Sequence, residues 1–209
     1  MARFINMTTF SGTFGNMVGC LGPFGFYIRS KPKKSLKPPS QKQLTIRAKM
    51  ALVGAYLQPL KEMVYLGFAA SYRVKSRTAA MNMAVGHAMR NAIGGSYPDL
   101  YIRPEEVIIS QGKVPNILDA ELSVEEKRLV LSWRWWPSLN SFADDRVYLM
   151  AYHVAARSMA MEEAFRDTES ISINLEAEPP GSTLQVYVCV SRRDNKFFSD
   201  SRYMGAFLV

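Results

Sequence analysis

Residues able to do chemistry are few and scattered in this 209-residue chain. Carboxylates occur as adjacent pairs: Glu105-Glu106, Glu125-Glu126, Asp144-Asp145 and Glu162-Glu163. General acid–base work needs two carboxylates converging on one point. Adjacent residues on a strand point to opposite faces, and these pairs lie near predicted turns, so solvated edges are the expectation. Asp144-Asp145 is the one pair placed to bind calcium with nearby carbonyls, but no regular ligand spacing surrounds it. His87 and His153 fall in different predicted domains, neither beside a Ser or Cys in a recognisable nucleophile motif. His87 reads as a surface or interface histidine. Cys20 and Cys189 have no ligand-like neighbours and read as two buried free thiols. With no His/Cys cluster for zinc and no G-x-x-x-x-G-K-[ST] loop for phosphate, the expectation is a non-enzymatic chain with no catalytic residue, metal or cofactor.

Charge is distributed far less evenly than chemistry. Residues 27–50 carry eight Lys or Arg and no Asp or Glu. Among them Arg29, Lys31, Lys33, Lys34, Lys37 and Arg47 are the candidate contacts for an acidic neighbour or a phosphate backbone. Residues 1–104 hold 15 Lys or Arg against two acids, a balance of +13; residues 105–209 hold 11 against 16, a balance of −5. Opposite charge on the two halves allows copies to attract head to tail, a heterologous contact that makes rings or filaments. Bound nucleic acid would use the basic half alone.

The elements that must position these charges divide the chain into three. Residues 1–40 predict a glycine-rich arm and a basic proline strap. Gly15-Asn16 is a hairpin turn between short strands and Gly22-Pro23 a second turn. The arm is too small to bury its own aromatics, so Phe10, Phe14, Phe24, Phe26 and Tyr27 are expected to anchor it on the rest of the chain or on a neighbouring subunit. Pro32 and Pro38-Pro39 hold residues 30–39 extended. Ser40 with Gln43 forms a capping box that starts a helix at Gln41.

Residues 41–104 predict a helical unit. The first helix, 41–57, carries a stripe of Leu44, Ala48, Ala51 and Ala55 with Ile46, Met50, Val53 and Leu57 beside it, and Pro59 ends or kinks it. A short helix follows over Leu60 to Phe68. A third runs from Thr78 to Ile93, with Met81, Val85, Met89 and Ile93 as its core stripe and Gly94-Gly95 as its stop.

From Glu105 the period changes to two, and residues 105–209 predict an antiparallel β-sandwich. Val107-Ile108-Ile109 reads as a first strand, paired with Leu118 to Ser123. Further strands lie near Leu129 to Trp135, Val147 to Tyr152, Ile171 to Leu175 and Leu184 to Val190, with Phe197 to Val209 closing the chain. Pro179-Pro180-Gly181 and Arg193-Asp194-Asn195 are turns. Residues 155–166 fit either a helical excursion or a strand with a long loop. Leu131, Trp133, Val186 and Val188 are the expected sandwich core. Trp133 and Trp135 share the inward face, and Trp136, beside Pro137, is the tryptophan left for solvent or a ligand.

Leu131-Ser132-Trp133, Val147 to Tyr152, and Pro180-Gly181-Ser182 followed by Val186, Val188 and Val190 resemble a fibronectin type III or immunoglobulin-like module. The tyrosine such modules place after Pro-Gly is Leu184 here. Over most of its length the chain also resembles an uncharacterised Bacteroidota family, a domain of unknown function. That resemblance rests on Tyr27-Ile28-Arg29-Ser30-Lys31-Pro32-Lys33-Lys34, with Gln43 and Arg47. It also rests on Ala92-Ile93-Gly94-Gly95-Ser96-Tyr97-Pro98, Ile109-Ser110-Gln111-Gly112 and Ser199-Asp200-Ser201-Arg202-Tyr203-Met204-Gly205. It implies a small arm-plus-sandwich protein and brings no established activity or catalytic residue; the likeness in style to phage and other assembly subunits is analogy.

The fold class expected is therefore α+β. The function expected is a structural subunit that assembles with copies of itself through its arm, as a tube, filament or phage-like particle. Nucleic-acid binding through the strap, and an adhesive, carbohydrate-binding sandwich using Trp136, are the alternatives. No signal peptide and no apolar run of transmembrane length is seen, so a cytoplasmic location or one within an assembled particle is expected.

Overall fold

The computed structural model describes residues 3–5, 9–22, 24–33, 37–69, 76–179 and 181–208. The chain forms two compact units, Met1–Ser40 and Gln41–Val209. Helices and antiparallel sheets together give an α+β fold. The segments 41–104 and 105–209, expected as a helical unit and a sandwich, both lie in the second compact unit.

The first unit is a meander of four antiparallel strands, β1 (Arg3–Phe4), β2 (Phe10–Phe14), β3 (Met17–Gly22) and β4 (Gly25–Ser30), hydrogen-bonded in that order. Gly15, at φ +56°, and Asn16 make the turn between β2 and β3. The register of β3 on β4 runs from Met17↔Ser30 to Gly22↔Gly25; Pro23 lies outside the described residues.

In the second unit α1 (Gln41–Leu57), α2 (Lys61–Ala69) and α3 (Arg77–Asn91) form one layer. Pro59 separates α1 from α2, where the Leu60 N–H donates to the Leu57 carbonyl in a tight turn. Ser76 caps α3 by accepting from the Ala79 N–H at 3.1 Å. Two expected stripes are corrected. On α3 the innermost residues are Ala80, Ala84 and Ala88, while Met81, Val85 and Met89 are only partly buried beside them. Small side chains take the centre where backbones approach closely, and the longer methionines fill the flanks. On α1 the buried residues are Val53, Tyr56 and Leu57, all in its C-terminal part. Ile46 and Met50 stay about half exposed, at 57% and 48%.

Gly94-Gly95 does not stop a helix. It belongs to a hairpin of β5 (Ile93–Ser96) and β6 (Asp99–Ile102). Gly95 sits at φ +77°, a conformation that favours glycine, and a Cβ at Gly94 would collide with the Tyr101 ring.

Two sheets form the sandwich. The smaller has the order β11-β8-β7, from β7 (Leu118–Glu125), β8 (Arg128–Arg134) and β11 (Ser170–Asn174). The larger has the order β10-β9-β12-β13, from β9 (Arg146–His153), β10 (Ser158–Phe165), β12 (Thr183–Ser191) and β13 (Arg202–Leu208). Leu129, Leu131, Trp133, Ile171 and Ile173 meet Val147, Leu149, Leu184, Val186 and Val188 between the sheets. The other face of β9 and β12 presents Tyr148, Met150, Tyr152, Tyr187 and Cys189 to the helices, in a second core with Val53, Tyr56, Met63 and Phe68. The larger sheet is thus buried on both faces, which is why β9 is apolar at nearly every position.

Residues 158–165 form strand β10, so the segment left open between helix and strand is a strand. Val107-Ile108-Ile109 forms no ladder, and β7 pairs with β8 instead. The donors of 107–112 are taken elsewhere: the Ile109 N–H donates to Ser201 Oγ at 2.8 Å and the Gly112 N–H to Asp200 Oδ1 at 3.0 Å. Ser110 Oγ donates to the Ser199 carbonyl at 2.9 Å. Two stretches about 90 residues apart are stitched together by small polar side chains.

Candidate interaction surface

The acids and histidines singled out in the sequence are dispersed over the structure: Glu125 and Glu126 line one cleft and His153 another. Among the described residues no group of three or more His, Cys, Asp or Glu is placed to hold a metal ion. The calcium reading of Asp144-Asp145 is overturned by arginine. Asp145 is 1% exposed, its Oδ2 3.3 Å from Arg166 Nη1 and its Oδ1 3.3 Å from Arg192 Nη1, and Asp144 pairs with Arg193. Arg166 is itself buried and also donates to Ser141 Oγ at 2.5 Å and to the Pro115 carbonyl. Trp133 Nε1 donates to the Arg166 carbonyl at 2.8 Å and Trp135 Nε1 to Ser141 Oγ at 3.0 Å. This is a structural knot at one end of the sandwich.

His87 bonds Asn91 through Nε2 at 2.9 Å, and burial pushes its pKa below the usual histidine value. Cys189 is fully enclosed, but Cys20 is only half-buried, so just one thiol is sealed as expected. Leu131, Trp133, Val186 and Val188 lie in the core between the sheets, and Trp136 is exposed.

The surface that stands out is the first unit. Cross-strand pairs share a face, so Phe14 with Met17, Gly19 with Ile28 and Leu21 with Phe26 lie on one side, together with Phe10. The rings of Phe10 and Phe14 meet edge-to-face at 6.1 Å, and those of Phe10 and Phe26 at 5.9 Å. Phe10 lies flat over Gly19. A Cβ there would strike the Phe10 carbonyl and stand 2.8 Å from its ring, which is the reason for glycine at that point.

A single-layer sheet covers little of this face. Gly19 is the only described residue of 1–40 that is fully buried. Phe14 is 57% exposed, Leu21 72% and Ile28 50%, and Phe24 at the turn is completely exposed. Tyr27, 53% exposed, stands on the opposite face with Arg29. Of the expected anchors, then, Phe10 and Phe26 are partly covered by one another, while Phe14, Phe24 and Tyr27 are open.

The positive charge begins where the sheet ends. The Lys31 N–H donates to the Asn16 carbonyl at 2.7 Å, so the strap leaves beside the Gly15-Asn16 turn. Arg29, Lys31, Lys33 and Lys37 are exposed; Lys34 lies outside the described residues. Residues 1–40 contain six Lys or Arg and no acid. Arg47 is exposed on α1, in the other compact unit. The described residues of this surface present open apolar side chains and cations.

Sequence reasoning missed the Asp145–Arg166–Arg192 knot and a His153–Glu178 pair, because each joins residues from separate segments with no local signal.

Comparison with known families matches residues 9–205 to the model of a family of unknown function, DUF6266. Among curated proteins no match is found.

Proposed function

The chain belongs to DUF6266, a family that brings no activity with it, and we propose from geometry that it is a non-enzymatic subunit of a homo-oligomeric assembly. The N-terminal sheet of one copy docks on another copy. The observation that carries this reading is a one-layer sheet with open Phe14, Leu21, Phe24 and Ile28. Covering such side chains is worth roughly 1.5–3 kcal/mol each, and a partner's surface is the means of covering them. The charge of the strap supplies orientation, since 16 of the chain's 18 acids lie in residues 105–209. Glu162 and Glu163 on β10, an edge strand of the larger sheet, are exposed acids of the kind it would meet.

Sedimentation of the full chain tests this at high protein concentration and low salt. Oligomers are expected for the native protein, and a monomer with unchanged circular dichroism for Phe14→Ser/Leu21→Ser. A native chain that stays monomeric refutes the reading.

A second reading, nucleic-acid binding, is favoured by the exposure of Arg29, Lys31 and Lys33 with no acid before Glu62. Retention of duplex DNA that falls steeply with salt would support it; retention absent at low salt removes it.

A further inference from the structure

A cleft in the second compact unit has the makings of a small-molecule site, and it owes nothing to the assembly reading. It has a volume of about 770 Å³, within the range of roughly 300–1,000 Å³ typical of ligand pockets. Its walls come from Leu52 and Tyr56 of α1, from Tyr101 and Ile102 of the β5–β6 hairpin, and from Pro104 and Val154. Among the described residues no Lys, Arg, Asp or Glu lines it.

One imidazole does. His153, the last residue of β9, is 7% exposed, and its Nδ1 lies 2.8 Å from Glu178 Oε2. The Glu178 carboxylate only accepts, so it fixes the imidazole proton on Nδ1. In the neutral imidazole this leaves Nε2 as the acceptor. Among the described residues it has no protein partner, and it is not one of the buried polar atoms sealed from solvent. A nearly buried acceptor that opens on an apolar cleft calls for a donor from outside the protein.

The charge count decides what that donor is. With Nε2 unprotonated the imidazole is neutral and the Glu178 carboxylate carries one negative charge, and no Lys or Arg among the described residues lines the cleft to hold an anion. A buried anion would go uncompensated. Tyr56 and Tyr101 offer ring edges and faces to a flat apolar body. We infer that the cleft binds a neutral aromatic molecule bearing a hydroxyl group, which donates to His153 Nε2 while the ring lies among Tyr56, Tyr101 and Pro104.

The test uses the full chain and three probes: 2-naphthol, naphthalene, and 2-naphthalenesulfonate. Saturable binding of 2-naphthol is expected, weakened about five- to tenfold when the hydroxyl is absent from the probe or when His153→Phe removes the acceptor. The Nε2 nitrogen resonance of His153 in the native protein should shift on titration. That signal decides the matter if the variant does not fold, and it separates the cleft from the open aromatic face of residues 10–28. Non-saturable binding, an unmoved Nε2 resonance, or tighter binding of the sulfonate than of the naphthol overturns the inference.

Discussion

Replacing Asp145 by Asn should cost the second compact unit a large part of its stability, because of what is left behind. Arg166 has a side chain 3% exposed, and Asp145 is the carboxylate facing it, with Oδ2 at 3.3 Å. Its remaining partners, Ser141 Oγ and the Pro115 carbonyl, are neutral. Burial already pushes the guanidinium pKa down, and Asp145 works against that shift. Breaking a buried pair by neutralising one member typically costs about 3–5 kcal/mol, against a total of about 5–15 kcal/mol for a domain. The amide introduced by Asp145→Asn would retain an acceptor for the Phe142 N–H, now bonded to Asp145 Oδ2 at 3.0 Å, so the loss falls on the ion pairs with buried Arg166 and with the more exposed Arg192. Urea unfolding followed by tryptophan fluorescence is the assay. All three tryptophans lie between residues 133 and 136, and two of them donate into this knot. The pair Asp145→Asn/Arg166→Met should be less destabilised than Asp145→Asn alone, since the orphaned charge is gone. A loss under about 1 kcal/mol, within the range of an exposed pair, or simple addition of the two single effects, would refute the reasoning.

Other substitutions read out the rest of the frame. Tyr187→Phe removes the hydroxyl that accepts from Tyr56 at 2.8 Å and donates to the Pro104 carbonyl at 2.9 Å; a loss of about 1–3 kcal/mol in urea melts is expected, larger than for Tyr56→Phe. Gly19→Ala should loosen β2 from β3, seen as faster proteolysis within residues 1–40 with unchanged tryptophan fluorescence. Burial pushes the Cys189 thiol up to about 12 from 9.0, so it should resist alkylation at pH 8 until the chain unfolds. Its folded pKa is the raised one, so its contribution is complete below pH 9 and is lost as pH climbs toward 12. Tyr148 and Tyr152, whose phenols burial also raises, act in the same direction, and unfolding free energy should fall with pH over that interval.

How far the fold was legible follows from where its signals lie. The first helix was readable at both ends, because Pro38-Pro39 precedes it and Pro59 follows it, and it runs Gln41–Leu57 as predicted. The Gly15-Asn16 turn was readable because φ +56° at Gly15 is a local demand. Strands β9 and β12 announced themselves by alternation, yet alternation could not say that both faces are covered. Tyr148 and Val147 are equally apolar to a reader of the sequence, and only packing assigns one to the helices and the other to the sandwich. The α3 stripe misled for a similar reason, since methionine outranks alanine in hydrophobicity but not in fit. Gly94-Gly95 looks like a helix stop until the strand that follows it is known. The polar pairs were illegible outright. Asp145 with Arg192 and His153 with Glu178 are separated by 47 and 25 residues, and no spacing rule reaches across the strands between them.

The motifs by which the chain resembles its family divide by physical role, and the division bears on function. Ile93 to Pro98 builds a hairpin whose glycines lie under Tyr101 and at a positive φ. Ile109 to Gly112 and Ser199 to Ser201 bond to each other, backbone to hydroxyl and carboxylate, and tie the sandwich to the segment that follows the helices. Gly94, Gly95, Ser110, Gly112, Ser199, Asp200 and Ser201 are each explained by a hydrogen bond or a close approach within the second unit. The Tyr27 ring lies against Gly22, but Arg29, Lys31 and Lys33 have no such explanation. Their side chains are exposed, and an edge strand and a strap would form with many other residues in their place. An apolar ring and a run of cations held open on a one-layer sheet bury little and so contribute little to the stability of the single chain, which supports the proposal that a partner's surface covers them.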